Sequence, residues 1–148
     1  MNRRQKAILV EFATIMTVTV IAVVAMINFK DWVNRSEAMG AMKQLGQVVL
    51  EYRKEHGLVP PESHVNEVKE MRGWVRLGNL KYRAQWIDIG ASPDEILAYA
   101  EKKYPSSLLN DGYVVLRLDG RVEWMEKQQF EKLLTQQQSK MEIDMLRR

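Results

Sequence analysis

Ala7–Phe29 reads AILVEFATIMTVTVIAVVAMINF, an apolar run whose one charged residue, Glu11, sits near its start. Its 23 positions (29 − 7 + 1) make a helix of roughly 34 Å, enough to cross a hydrocarbon core of about 30 Å. Neither proline nor glycine interrupts it. Its many β-branched residues, among them Thr17, Val18, Thr19, Val20 and Ile21, disfavour helix in water. Lipid offers the backbone no hydrogen-bond partner, so there a helix is enforced. Glu11 lies one turn inside the run, where a carboxylate is costly unless it reaches the interface or meets a cation. Two readings follow, a Glu that snorkels to the interface or an assembly contact with a neighbouring subunit.

The flanks orient the run. Residues 1–6 carry Arg3, Arg4 and Lys6 with no acid, whereas Lys30 and Arg35 on the other side are offset by Asp31 and Glu37. The basic side is expected in the cytoplasm and residues 30–148 outside the inner membrane, in a periplasmic or extracellular space. A cleavable secretory signal shares the basic start and apolar run, but the length, Glu11 and the lack of a small-x-small site after the run favour an anchor. The net charge of +3 arises from interspersed acids and bases, so nucleic acid is not an expected partner. With no cysteine, the outer domain must rely on packing alone.

Beyond the anchor, Ala38, Met39, Met42, Leu45, Val49 and Tyr52 recur at steps of three and four, so the helix continues as an amphipathic one over 30–56. His56-Gly57 followed by Pro60-Pro61 ends it, with bending expected at Gly40 and Gly46. Residues 57–134 then form a head. Its first part, through Val65, Val68 and Met71, reads as a short helix or loop, and alternation in LKYRAQWIDI predicts a strand over Leu80–Ile89. Ser92-Pro93-Asp94-Glu95 has the form of a capping box and predicts a helix to about Lys103. GYVVLRLDGRVEWM, Gly112–Met125, predicts a hairpin turning on Asp119-Gly120 as a two-residue type I′ turn, with Val122 and Trp124 on one face. A helix from Glu126 follows, burying Phe130, Leu133 and Leu134, and 135–148 is a polar tail or helix end. Trp86, Trp124 and Phe130 are the expected core anchors. The fold class is α+β: a long N-terminal helix packed on a small antiparallel sheet with a C-terminal hairpin and helix.

No Gly-rich phosphate loop, nucleophile elbow or HExxH pattern occurs, so neither catalysis nor a cofactor is expected. His56 and His64 lack the i, i+4 spacing of a helical metal site, and Asn110-Asp111-Gly112 reads as a plain turn rather than a calcium loop.

The start K-AILVE, Lys6–Glu11, resembles that of type IV pilins and type II secretion pseudopilins, where a glycine precedes an apolar helix with a glutamate at its fifth position. Laid on that pattern, Ala7 takes the first mature position and Glu11 the glutamate. Lys6 stands where the family is cut after glycine, and this leaves open both an uncut chain and one beginning at Ala7. GYVVLRLDGRVEWMEKQQFEKLL resembles the C-terminal hairpin and helix of pilin-like proteins of the planctomycete type, as does SPDEILAYAEKKY before it. The resemblance implies a filament subunit that partners copies of itself or related pilins, membrane lipid and an inner-membrane assembly machinery. In the family the glutamate meets the terminal amine of a neighbour. In an uncut chain Lys6 or Arg4 of the adjacent subunit would take that cationic role. The other expectation is a single-pass inner-membrane protein whose outer domain binds a partner without polymerising.

Overall fold

The computed structural model describes residues 2–146. Met1, Arg147 and Arg148, at the ends of the basic N-terminus and the polar tail, lie outside the described residues, as does the side chain of Leu146. Helix α1 runs without a break over Arg3–His56, 54 residues or roughly 80 Å. Asn2 and Gln5 close a capping box at its start, and Gly57, left-handed at φ 74°, ends it by bonding Arg53 O. The helix continues through Gly40 and Gly46, where bending is expected, without a break. Gly46 has a packing role instead: a Cβ there would lie 3.0 Å from Leu116 Cδ1 and 3.1 Å from Gly120 O, so its absence lets a hairpin close onto the helix.

Four strands, β1 (Leu80–Tyr82), β2 (Ile96–Lys102), β3 (Gly112–Arg117) and β4 (Val122–Glu126), form one antiparallel meander in chain order. One face rests on the second half of α1. Ala38, Met42, Leu45 and Val49 meet Val114, Leu116, Ala98 and Ala100, and the cluster is closed by Val65 and Val68 of α2 (Glu62–Met71) together with Trp74 and Leu77. The other face carries Ile96, Val115 and Met125 against Phe130 of α3 (Lys127–Gln137). The pleat explains the division, since successive residues of β3 point to opposite sides. The result is helix, sheet and helix in three layers, an α+β fold with a long N-terminal helix.

Three local expectations are corrected. Ser92–Glu95 does not start a helix. Ser92 Oγ accepts from Asp94 N and Ser92 O from Glu95 N, a turn, and the next seven residues form β2, one of the two inner strands. ILAYA is buried on both sheet faces, and pairing with β1 and β3 overrides the capping signal. The strand expected over Leu80–Ile89 stops at Tyr82, because Arg83 turns its side chain inward and Ala84–Trp86 form a 3-10 turn. The hairpin forms, but its loop has three residues. Arg117 N bonds Arg121 O, Gly120 N bonds Arg117 O, and Gly120 alone is left-handed, at φ 88°. Leu118 is drawn into the core, so the two-residue I′ form is not used.

Of the two readings of 135–148, tail or helix end, the described residues contain the end of α3 and a further short helix. Helix α4 (Lys140–Leu146) brings Glu142 to Arg83, the two being 1% and 2% exposed. Arg83 donates through Nε to Glu142 Oε1 at 2.6 Å and through Nη2 to Oε2 at 2.9 Å, a bidentate pair, while its Nη1 donates to Ile96 O at 2.7 Å. Gln137 Oε1 accepts from Ile96 N at 2.8 Å, so the end of α3 is tied to the same point.

Two predictions follow from this packing. Arg83→Met leaves the buried Glu142 carboxylate without its cation and should destabilise the head by about 3 to 5 kcal/mol, whereas Glu142→Gln leaves Arg83 the longer pair to Glu95 at 3.9 Å and should cost less, both read by urea unfolding of the full chain in detergent. Burial, before any neighbouring charge, raises the phenol pKa of Tyr82, Tyr99, Tyr104 and Tyr113, the last to about 12. A phenol whose pKa is higher folded than unfolded favours the folded state below its unfolded value of about 10, and that contribution is lost as pH rises through the folded value. The urea midpoint should therefore fall between pH about 10 and about 12.

Candidate functional site

Residues 3–26 of α1 are exposed throughout, and the contact with the head begins at Asn28. An 18-residue window of it, long and apolar enough to cross a membrane, has no buried residue, and Ile8, Val10, Phe12, Ile15, Ile21 and Met26 are each at least half exposed. Its hydroxyls are satisfied internally: Thr14, Thr17 and Thr19 donate to the carbonyls of Val10, Ala13 and Ile15 at 2.8 Å. No backbone or hydroxyl group of these residues therefore needs water, as a lipid environment demands.

Glu11, Arg4, Lys6 and Ala7 all lie exposed on this bare half, and among the described residues Glu11 makes no ion pair. Arg4 and Glu11 are seven residues apart, about two turns, and so share a stripe of the helix; Lys6 and Glu11 are five apart and do not. The remaining named residues lie in the head. Asp119 and Gly120 lie in the three-residue hairpin loop, where Gly120 packs on Leu50 and Asp119 accepts from Arg121 N at 3.0 Å. Phe130 is fully buried. Trp124 is half-buried and lies beneath Arg35, whose Cζ is 3.8 Å from the ring centroid, and Trp86 is half-buried in the 3-10 turn. Trp124 packs against the core cluster from its edge and forms the seam between β4 and α1 through this cation–π contact, while Trp86 is only partly covered.

The junction between bare helix and head is built by residues that composition does not single out. Asn28 Nδ2 donates to Val24 O at 2.8 Å, while its Oδ1 accepts from Ser107 Oγ at 2.9 Å and Leu108 N at 2.8 Å. The base of the same loop is closed by Tyr104 N donating to Asp111 Oδ1 at 2.6 Å. Asp111 and Asn110 are thus engaged within the fold, Asn110 with Glu126. Gly112 follows, where a Cβ would meet Met125 O at 2.3 Å and the Trp124 ring at 2.6 Å. The one legible signal was Asn28, a polar side chain at the end of an apolar run. At the opposite end of α1 a cleft of about 650 Å³ is lined by Tyr52, His56, Pro60 and Tyr82. Tyr52 stacks on His56 with centroids 4.1 Å apart and lies 5.1 Å from His64.

A long N-terminal helix, apolar and bare in its first half and packed on a small antiparallel sheet in its second, is a pilin-like architecture. No family model, curated protein or solved structure matches the chain.

Asn28→Ala removes both ties from helix to loop, each worth about 1 kcal/mol. Limited proteolysis of the full chain in detergent is expected to cut faster within the 105–110 loop while the urea midpoint falls by no more than the loss of those two bonds.

Proposed function

We propose that the chain is a structural subunit that is held in the bacterial inner membrane by Ala7–Phe29 and assembles with copies of itself or related chains into a pilus-like or secretion-pseudopilus-like filament. The observation that carries this reading is the bare half of α1, an apolar surface with no partner among the described residues, rigidly continuous with a packed head. In the membrane lipid covers it. In a filament the same surface packs on its copies, so one helix serves both states. The basic residues Arg3, Arg4 and Lys6 support a cytoplasmic N-terminus and a head outside the membrane, where assembly machinery would draw subunits from the bilayer.

Glu11 sets the register. A neighbour shifted along the axis by about 10.5 Å, seven residues of helix, brings its Arg4 level with this carboxylate on the same stripe. Lys6 faces about 140° away and reaches Glu11 of a neighbour lying on another side. A desolvated pair loses about 3 to 5 kcal/mol when one partner is truncated, whereas an exposed pair is worth at most about 1.

Glu11→Gln should therefore lower the yield of sheared filaments sharply, as should Arg4→Gln or Lys6→Gln, with membrane insertion and the head's unfolding unchanged. Electron microscopy of the sheared fraction and mass spectrometry of the subunit's N-terminus provide the readouts. Normal assembly of both cation variants, or a mature chain beginning at Ala7, would replace the substitute cation by a terminal amine. Intact chain confined to the membrane fraction, with no filament under conditions of export, would favour the single-pass, partner-binding protein, the reading to which Lys6 at the processing position points.

A further inference from the structure

The end of the head nearest the bare helix carries apolar side chains that nothing in the fold covers. Leu108, at the tip of the Tyr104–Asp111 loop, is 83% exposed, and Phe29 and Trp32 on the adjoining turn of α1 are 65% and 57% exposed, their rings 6.2 Å apart. An exposed leucine at a loop tip is unremarkable when the loop is free to move away. This one is held at two places, its base by Tyr104 and Asp111 and its tip by Asn28. The bond from Leu108 N to Asn28 Oδ1 locks the tip to one level of α1, whatever the tilt of that helix.

That level is the end of the apolar run. Ala7–Phe29 makes roughly 34 Å of helix against a hydrocarbon core of about 30 Å, so Phe29 and Trp32 emerge among the glycerol and headgroup atoms, the layer that aromatic side chains favour. Leu108, tied to Asn28 one residue before Phe29, emerges at the same depth. We propose that the Tyr104–Asp111 loop is a lipid-interface anchor: Leu108 enters the headgroup and glycerol region of the phospholipid bilayer and, with Phe29 and Trp32, seats the head on the membrane surface. The proposal rests on the reading that Ala7–Phe29 spans a membrane, and goes beyond it by giving the head its own lipid contact. The head then stands at a fixed height and rotation while the subunit is in the bilayer, with its hairpin end pointing away. Extraction into a filament breaks this loop contact together with the anchor's.

The chain has no cysteine, so single cysteines carry a nitroxide label without competition. Thr19→Cys, Leu108→Cys and Ile89→Cys replace exposed side chains, Ile89 being 92% exposed near the far end of α1, and none removes a core residue. The full-length variants are reconstituted in phosphatidylcholine vesicles and probed with oxygen, which concentrates in lipid, and an aqueous nickel chelate. The expected result is lipid exposure at Thr19, water exposure at Ile89, and at Leu108 a nickel accessibility several-fold below that at Ile89 with oxygen accessibility raised. Leu108 as open to nickel as Ile89, with Thr19 still in lipid, overturns the loop anchor and leaves the membrane span standing. Leu108 shielded from both reagents means that protein, such as a second copy, covers it, which also overturns the proposal. Thr19 open to nickel removes the span itself, and the loop anchor with it.

Discussion

The head depends on the packing of the second half of α1 against one face of the sheet. Strands of three to seven residues, joined as a meander, bury too little on their own to stand in water. Ala38, Met42, Leu45 and Val49 supply the missing face, and the small residues Gly46 and Gly120 let backbone approach backbone where the hairpin crosses the helix. Arg53 adds a polar tie, donating to Leu118 O at 2.8 Å. Since the same helix is continuous with the apolar span, the head has no hinge between it and the bare half: wherever the span goes, the sheet goes with it.

The opposite face is closed by different means. Phe130 stacks on Tyr113 with centroids 3.9 Å apart and lies 4.8 Å from Tyr99, so aromatic contacts do much of the work of a small core. The buried Arg83–Glu142 pair then joins β1, the start of β2, the end of α3 and α4 at one point. A chain without disulfides thereby fastens its C-terminal segment to its sheet, at a site where a charge without its partner would be strongly unfavourable.

Two features of α1 define its bare half and its boundary with the head. Its bare half must satisfy its own polar groups, which the three threonines do by bonding back along the helix, so the surface offered to lipid or to another helix is apolar apart from Glu11 and the basic end. Its boundary with the head is set by Asn28, which bonds both to its own helix and to the 107–108 backbone and side chain. A pilin-like shape is thus reached with a junction whose geometry is specified by hydrogen bonds rather than by apolar contact alone.

The elements legible in the sequence are those whose signal is local and repeated. The apolar run, the amphipathic continuation with its glycine-and-proline exit, the hairpin around Asp119-Gly120 and the helix carrying Phe130 all rest on periodicity or a single turn, and all are present. What only the tertiary structure decided are the segments with two competing local readings. Ile96–Lys102 follows a capping sequence, yet becomes an inner strand because two neighbours offer ladders and both faces are buried. Ala84–Trp86 leaves the strand pattern because Arg83 is needed inside, and the polar C-terminal stretch becomes α4 because Glu142, 59 residues further on, is its partner. The ties of Asn28 to Ser107 and Leu108 span 79 and 80 residues. Periodicity carries no information about partners at such separations; they exist only once the chain has closed on itself.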